Sequence, residues 1–218
     1  KDNYEADDII GTLATQAAAA GYDASVVTGD RDALQLVRPN LRVLMTKKGI
    51  SDLKEYDEAA FMEEYQMEPL KLIDLKGLMG DTADNIPGVP GVGPKTATKL
   101  LLEYGTLENV LDHAGEVKGK KLQERLPTFA EQARLSKTLA TINCSVPDLD
   151  APGAYGVHPD TAKFTTFCQR YNLKAVLTRG KKLLAKLAAA EKGGALTLSA
   201  DGGTKTTPAK TGKGTKKA

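Results

Sequence analysis

Seven carboxylates fall into three short clusters whose chemistry suits divalent cations. The clusters are Glu5-Ala6-Asp7-Asp8, Asp30-Arg31-Asp32 and Asp81-Thr82-Ala83-Asp84, each at the boundary of a predicted helix or strand. Carboxylates brought together repel unless cations neutralise them, and hard oxygen ligands suit Mg²⁺ or Mn²⁺. Two such ions would favour in-line hydrolysis of a phosphodiester. The candidate metal ligands are Glu5, Asp7, Asp8, Asp30, Asp32, Asp81 and Asp84.

Each cluster also has a structural explanation. Acids in the first turn of a helix complement its dipole, which would account for the first cluster. Asp30 and Asp84 could be ordinary cap or turn residues. Taken singly, the clusters favour these structural roles. Taken together, their shared position at element boundaries favours a metal site.

A glycine-rich segment directly follows the third cluster, and its sequence Gly-Val-Gly-Pro-Lys-Thr opens a helix at Pro94. Glycines let the backbone approach a ligand, and free N–H groups at a helix start bind anions. A P-loop is excluded because Pro94 separates Gly93 from the lysine. A plain connection between helices stays open, but we favour a helix-hairpin-helix that grips a DNA backbone without reading bases. The candidate DNA-binding residues are Gly88, Val89, Gly91, Val92, Gly93, Lys95, Thr96 and Lys99.

The elements that must position these residues follow from apolar periodicity. A helix is predicted over 4–20, a strand over 24–28, a short helix over 32–37, and further strands over 41–46 and 50–53. This order predicts an α/β core followed by a helical extension. Further helices are predicted over 57–66, 69–79, 94–104, 106–113, 128–142 and 159–170.

Charge is distributed unevenly along the 218 residues. Residues 1–150 hold 17 Lys and Arg against 25 Asp and Glu, a net −8, whereas residues 151–218 hold 13 against 3, a net +10. From Glu191 the sequence is rich in Gly, Thr and Lys, which predicts a flexible basic tail. No window is apolar enough for a transmembrane helix, and no signal peptide is visible. With two cysteines and no disulfide framework, a cytoplasmic protein without membrane contacts is expected.

The three acidic motifs and the glycine-rich hairpin resemble the 5′-nuclease domain of bacterial DNA polymerase I, within the flap endonuclease superfamily. Order and spacing match over about residues 1–150. The resemblance implies a PIN-like α/β sheet core lacking its first strand, a helical helix-hairpin-helix subdomain and a disordered basic tail. The corresponding domain limits are 1–68, 69–190 and 191–218.

The resemblance also implies roles for individual residues. The first cluster would provide ligands for the first metal ion, with Asp7 and Asp8 nearest to it. The two aspartates of the second cluster would bind the second metal ion. The third cluster would complete that second site, partly through water. The segment from Gly88 to Thr98 would hold duplex DNA, often around a bound K⁺. The residues to which the resemblance gives a catalytic role are Asp7, Asp8, Asp30 and Asp32.

The expected activity is therefore a Mg²⁺- or Mn²⁺-dependent 5′→3′ exonuclease and flap endonuclease on 5′-flap or nicked DNA in primer removal and repair. The family carries two further aspartates and a basic arch before its first acidic motif. Because the sequence starts at that motif, we expect a poorly active fragment of a protein that was once fused to a polymerase region. The fragment is expected to be monomeric and associated with the nucleoid. A non-catalytic duplex-binding module and a phosphatase acting on small esters are the alternatives.

Several other residues are not assigned to the site. His113 and His158 are expected at the surface or at caps, and Cys144 and Cys168 as small core residues. The basic stretch from Lys118 to Arg125 could touch phosphates, although a solvated loop is the favoured interpretation.

Overall fold

A three-stranded mixed sheet forms the first part of the structure, a computed structural model that describes residues 1–48, 52–155 and 159–192. Strand β1 (Ala24–Thr28) runs parallel to β2 (Leu41–Lys48), which pairs antiparallel with β3 (Asp52–Tyr56). Val43 stands between Val26 and Tyr56 in the register, and all three side chains are buried. This alternation of buried and exposed residues fixes which face of the sheet meets the core.

Two helical segments cover this sheet and carry the first two acidic clusters. Helix α1 (Ala6–Ala19) precedes β1, and a 3₁₀ helix (Arg31–Leu36) connects β1 to β2. Gln35 in the 3₁₀ helix is buried and hydrogen-bonds the backbone of Ala140 and Ile142 through its side-chain amide. These bonds attach the chain around residues 140–142 to the 3₁₀ helix, which carries Asp32 of the second acidic cluster.

Six further helices follow within residues 1–149. Helix α3 occupies the centre, with Leu72, Leu75 and Leu78 buried against its neighbours. Gly77 permits the close approach of α3 and α7, because a Cβ there would lie 3.0 Å from Lys137 Cβ and 3.2 Å from the Ala133 carbonyl. The helices are α2 (Glu58–Tyr65), α3 (Lys71–Met79), α4 (Pro94–Tyr104), α5 (Leu107–Asp112), α6 (Lys120–Thr128) and α7 (Ala130–Ala140).

A second unit begins at Asp150. Its described part contains a short 3₁₀ helix (Pro152–Ala154) and the helices α8 (Thr161–Arg170) and α9 (Lys174–Lys192). Gly180 of α9 packs on the ring of Phe164, where a Cβ would approach the ring to 2.2 Å. No helix in the described parts of the chain combines the length and apolar character that a membrane crossing requires.

The expected α/β core with a helical extension is confirmed, and β1 and α4 have the predicted bounds. Three details differ from the prediction. The third strand lies at 52–56 rather than 50–53, with residues 49–51 outside the described part. The basic stretch expected as a loop is helical from Lys120 onward, as part of α6, because Leu122 and Leu126 lie one turn apart and pack on the core. No separate helix was predicted over α9, although the helical subdomain was expected to extend to residue 190. The tail was predicted from residue 191, but α9 continues to Lys192, and residues 193–218 lie outside the described residues.

Candidate functional site

The first acidic cluster opens α1. Oδ2 of Asp8 accepts a hydrogen bond from the backbone N–H of Glu5 at 3.3 Å, which caps the helix. Oδ1 of the same carboxylate accepts from the backbone N–H of Asn143 at 2.8 Å. Asp7 is half-buried and has no side-chain hydrogen bond among the described residues. Glu5, Asp7 and Asp8 all line one cleft of about 500 Å³.

The second cluster follows the carboxyl end of β1, where ligand sites of α/β sheets gather. The N–H of Asp30 donates to Thr28 Oγ1 at 3.0 Å, and Asp30 Oδ1 accepts from the N–H of Asp32 at 2.9 Å. Asp30 therefore caps the 3₁₀ helix, which is the structural role predicted from the sequence as the alternative to metal binding. The Asp32 side chain lines the same cleft as the first cluster.

The third cluster lies in the tight turn after α3. Two backbone hydrogen bonds of 2.8 and 2.7 Å join Asp81 to Ile86, and Asp81 Oδ1 accepts from the N–H of Ala83 at 2.9 Å. Gly80 and Gly88 both have positive φ, and a Cβ at Gly88 would lie 2.1 Å from the Gly80 nitrogen. The turn is thus closed by backbone contacts that leave the carboxylate of Asp84 exposed.

The fold brings the three clusters together. One carboxylate oxygen each of Asp32, Asp81 and Asp84 lies within 4.8 Å of the others. The pKa of Asp7 is raised, first by burial and then by the negative charges of Asp30, Asp8 and Asp84. This shift places Asp7 in the same electrostatic field. All seven predicted residues therefore share one acidic region of the molecule.

A lysine that sequence reasoning missed lies inside this region. Lys76 of α3 is buried, and its Nζ contacts Asp32 Oδ1 and lies 2.6 Å from Asp81 Oδ2. Burial opposes its charge, but hydrogen bonds to the two carboxylates outweigh this and raise the pKa of Lys76. The pKa of Asp81 is lowered by the same lysine, whereas that of Asp32 is raised because burial outweighs the lysine. A lysine among the apolar positions of a predicted helix was the available signal.

The donor set fits a hard divalent cation. Three carboxylate oxygens within 4.8 Å of one another, two of them from side chains partly withdrawn from solvent, are the ligand type that Mg²⁺ and Mn²⁺ prefer. Within the first cluster, Asp7 adds a side chain free of hydrogen bonds to the described residues, whereas both oxygens of Asp8 already accept hydrogen bonds from backbone N–H groups. The two neighbouring aspartates therefore differ in how readily they could turn towards an ion.

The glycine-rich hairpin between α3 and α4 divides into buried and exposed parts. Gly88, Val89 and Val92 are buried, and the Val89 N–H donates to the Leu78 carbonyl at 2.8 Å. Gly93 is exposed and begins α4 without a side-chain cap, and a Cβ there would meet nothing within 4 Å. The buried members hold the loop in shape, and a ligand could approach only the exposed ones: Gly91, Gly93, Lys95 and Lys99, together with the half-buried Thr96.

A groove of about 340 Å³ adjoins this exposed surface. Lys95 and Lys99 of α4 line it, and Lys118 joins them from the segment before α6. Glu103 is the acidic residue in its lining. Lys118 was expected in a solvated loop, and it does lie exposed in the non-helical segment before α6, where it lines the groove beside α4.

The residues left outside the site behave largely as predicted. His113 is exposed and ends α5, which confirms the surface or cap interpretation. Cys168 is buried, as expected, whereas Cys144 is only half-buried at the edge of the core. His158 lies outside the described residues.

Comparisons with known proteins bear on both halves of this region. Residues 1–66 match the family described as 5′-3′ exonuclease, N-terminal resolvase-like domain, and residues 67–163 match 5′-3′ exonuclease, C-terminal SAM fold. DNA polymerase I of Bacillus caldotenax is 54% identical over 146 residues, which are 67% of this chain and 17% of that protein. DNA polymerase I of Bacillus subtilis is 50% identical over 146 residues, with the same coverage. The chain thus spans about a sixth of the length of these relatives.

Solved structures share the fold. T5 5′-exonuclease with bound zinc superposes with a TM-score of 0.56 at 24% identity, over 64% of this chain and 51% of that one. The T5 D15 flap endonuclease in a complex with DNA and metal ions gives a TM-score of 0.55 at 24% identity, over 65% and 50% of the two chains.

Proposed function

The chain belongs to the 5′-3′ exonuclease family, and from that premise we propose that it acts on DNA as a divalent-metal-dependent 5′→3′ exonuclease and flap endonuclease. The observation that carries the proposal is the convergence of Asp32, Asp81 and Asp84, whose oxygens lie within 4.8 Å of one another. Its proposed setting is primer removal and repair, on a 5′ flap or a nicked duplex. The zinc bound to T5 5′-exonuclease and the metal ions in the complex of T5 D15 flap endonuclease with DNA support a divalent ion, and we propose Mg²⁺ or Mn²⁺.

Asp32, Asp81 and Asp84 would hold one ion, and the cleft carrying Asp7, Asp8 and Glu5 would hold a second. Asp30 would add its negative charge to both sites, because it contributes to the raised pKa of Asp7 and of Asp32. When bound, such ions supply Lewis-acid stabilisation of a phosphodiester and lower the pKa of water. The contribution of the chain is to fix these carboxylates on three separate elements. Their positions are set by the Asp8 cap, the Asp30 cap and the closed turn from Asp81 to Ile86.

The exposed hairpin would position the duplex. Free N–H groups at the start of α4 and the ammonium groups of Lys95 and Lys99 can contact phosphates regardless of sequence. We also propose that a K⁺ ion binds at the hairpin, on the basis of the family resemblance. Because contacts to phosphates carry no sequence information, binding is expected to prefer duplex without preferring a sequence.

The test is single-turnover cleavage of a 5′-labelled flap duplex with the chain in excess and Mg²⁺ or Mn²⁺ present. We expect slow cleavage at the junction that EDTA and Asp32→Asn both abolish. Asp112→Asn is the matched control, because Asp112 is an exposed carboxylate at the end of α5. Cleavage that survives EDTA would contradict the metal-dependent mechanism.

Duplex binding without any cleavage would instead favour the non-catalytic binding module, which the exposed hairpin alone could support. Hydrolysis of small phosphate esters without DNA cleavage would favour a phosphatase.

A further inference from the structure

Lys76 brings a positive charge into the acidic region before any metal binds. Its side chain is 5% exposed, and those of its two carboxylate partners, Asp32 and Asp81, are 19% and 20% exposed. Both partners belong to the three carboxylates that converge as a candidate ion site, and the third, Asp84, forms no ion pair among the described residues. The single ammonium is therefore shared by two of the three carboxylates, and the third is left without an ion pair among the described residues.

Two opposite consequences follow from this position. Without a cation, three carboxylates within 4.8 Å would repel one another, so the lysine stabilises the metal-free fold. Once a divalent ion approaches, the same ammonium is a like charge a few ångströms away, and it lowers the affinity of the cluster for that ion.

We propose that Lys76 is a positioning residue of the metal centre: it is a built-in cation that holds Asp32 and Asp81 together in the metal-free protein and weakens binding of the divalent ion. The proposal rests on the metal site of the proposed function. It predicts that the lysine and the ion compete for the same carboxylates, so that loss of the lysine charge destabilises the empty protein but tightens the metal complex.

A purely structural ion pair would behave differently, and the chain offers a matched example. Lys137 Nζ on α7 lies 2.6 Å from Oδ1 of Asp74, a buried carboxylate on the same helix as Lys76. Asp74 also accepts from the N–H of Leu107 at 3.3 Å and belongs to none of the acidic clusters. Breaking this pair by replacing Lys137 also removes one positive charge that is paired with a carboxylate, without touching the candidate metal ligands.

The experiment compares wild type with Lys76→Met, Lys76→Gln, Lys76→Arg and Lys137→Met, without DNA. Isothermal titration with Mn²⁺ gives the affinity, and thermal unfolding with and without Mn²⁺ gives the stability. For Lys76→Met and Lys76→Gln we expect a lower metal-free Tm, a larger rise in Tm on adding Mn²⁺, and an affinity tighter by about tenfold, because a repelling unit charge has been removed. Lys76→Arg should bind Mn²⁺ like wild type.

Lys137→Met should lower the Tm in both conditions and leave the Mn²⁺ affinity unchanged. Equal Mn²⁺ affinity for wild type and both neutral Lys76 variants would overturn the inference while leaving the metal site itself intact. Absence of Mn²⁺ binding to wild type would overturn the metal site and the inference together. If neither neutral variant folds without metal, millimolar Mn²⁺ should restore folding, and failure to do so would also refute the proposal.

Discussion

The backbone N–H of Asn143 donates a 2.8 Å hydrogen bond to the carboxylate of Asp8, across 135 residues of sequence. The other oxygen of Asp8 accepts from the N–H of Glu5. The neighbouring Asp7 receives no such bond among the described residues, and burial together with Asp30, Asp8 and Asp84 raises its pKa. Two adjacent aspartates of one motif therefore have opposite effects on the stability of the metal-free fold.

We expect Asp8→Ala to lower the free energy of unfolding by about 1–2 kcal/mol, because a helix cap and a hydrogen bond to a charged group are both lost. Asp7→Asn should instead leave the stability unchanged or raise it, since it removes a charge that its neighbours repel. Urea unfolding in EDTA measures both. Equal destabilisation by the two variants would show that the Asn143 contact contributes nothing.

The apolar pattern was sufficient to predict most elements and their order, because each core helix or strand buries a periodic stripe. It failed at α6, where only Leu122 and Leu126 mark the buried face among charged residues. It predicted β3 but placed its end three residues too early, because the strand has no clear alternation of buried and exposed residues and only Tyr56 is fully buried. These two elements are stabilised by packing against other parts of the chain, and their own sequence pattern gives little sign of it.

The acidic clusters were recognisable because their residue types and their positions at element ends are local properties. The contacts that organise them are not local. Lys76 reaches Asp32 across 44 residues, and Gln35 binds the Ile142 N–H across 107. Lys118 lines the same groove as Lys95, from which it is separated by 22 residues of sequence. Such partners depend on tertiary packing, which spacing along the chain does not reveal.

Glu64 makes stability depend on pH. Hydrogen bonds from Lys54 and Tyr56, and then from Arg31, lower its pKa below the ordinary 4.5. A carboxyl whose folded-state pKa is lowered adds stability above its unfolded pKa and loses it as the pH falls through the folded value. We expect Glu64→Gln to cost no more than about 1 kcal/mol near neutral pH, since partly exposed ion pairs contribute little.

The difference between wild type and Glu64→Gln should shrink as the pH falls below 4.5, which urea unfolding at a series of pH values measures. A difference that stays constant down to the acid transition would contradict this origin. Because Arg31 lies between Asp30 and Asp32, the same network also helps to hold the second acidic cluster in place.

Substitutions at Gly93 and Gly88 test DNA binding and folding of the hairpin separately. A Cβ at Gly93 meets open space and the backbone φ is −96°, so Gly93→Ala should leave the Tm within a few degrees of wild type. The added methyl group would nevertheless crowd a phosphate at the start of α4, and duplex affinity should fall. Gly88→Ala should unfold the loop, because its Cβ would lie 2.1 Å from the Gly80 nitrogen. Thermal unfolding and fluorescence anisotropy on one duplex measure both effects, and unchanged affinity for Gly93→Ala would exclude close backbone contact.

Lys118 provides the last test, because its predicted role depends on the tertiary structure alone. It lines the 340 Å³ groove with Lys95 and Lys99, so a duplex backbone lying along α4 would pass within reach of all three charges. Each phosphate neutralised by a lysine adds about 0.9 to the slope of log affinity against log salt. We therefore expect Lys118→Ala to reduce that slope by about 0.9, as Lys95→Ala should, for every duplex sequence tested. Lys121→Ala is the control, since Lys121 is exposed one turn further on but does not line the groove. The slopes are measured by anisotropy titrations across a salt series. A wild-type slope for both Lys118→Ala and Lys121→Ala would refute the role of Lys118, and so would an equal reduction of the slope in these two variants.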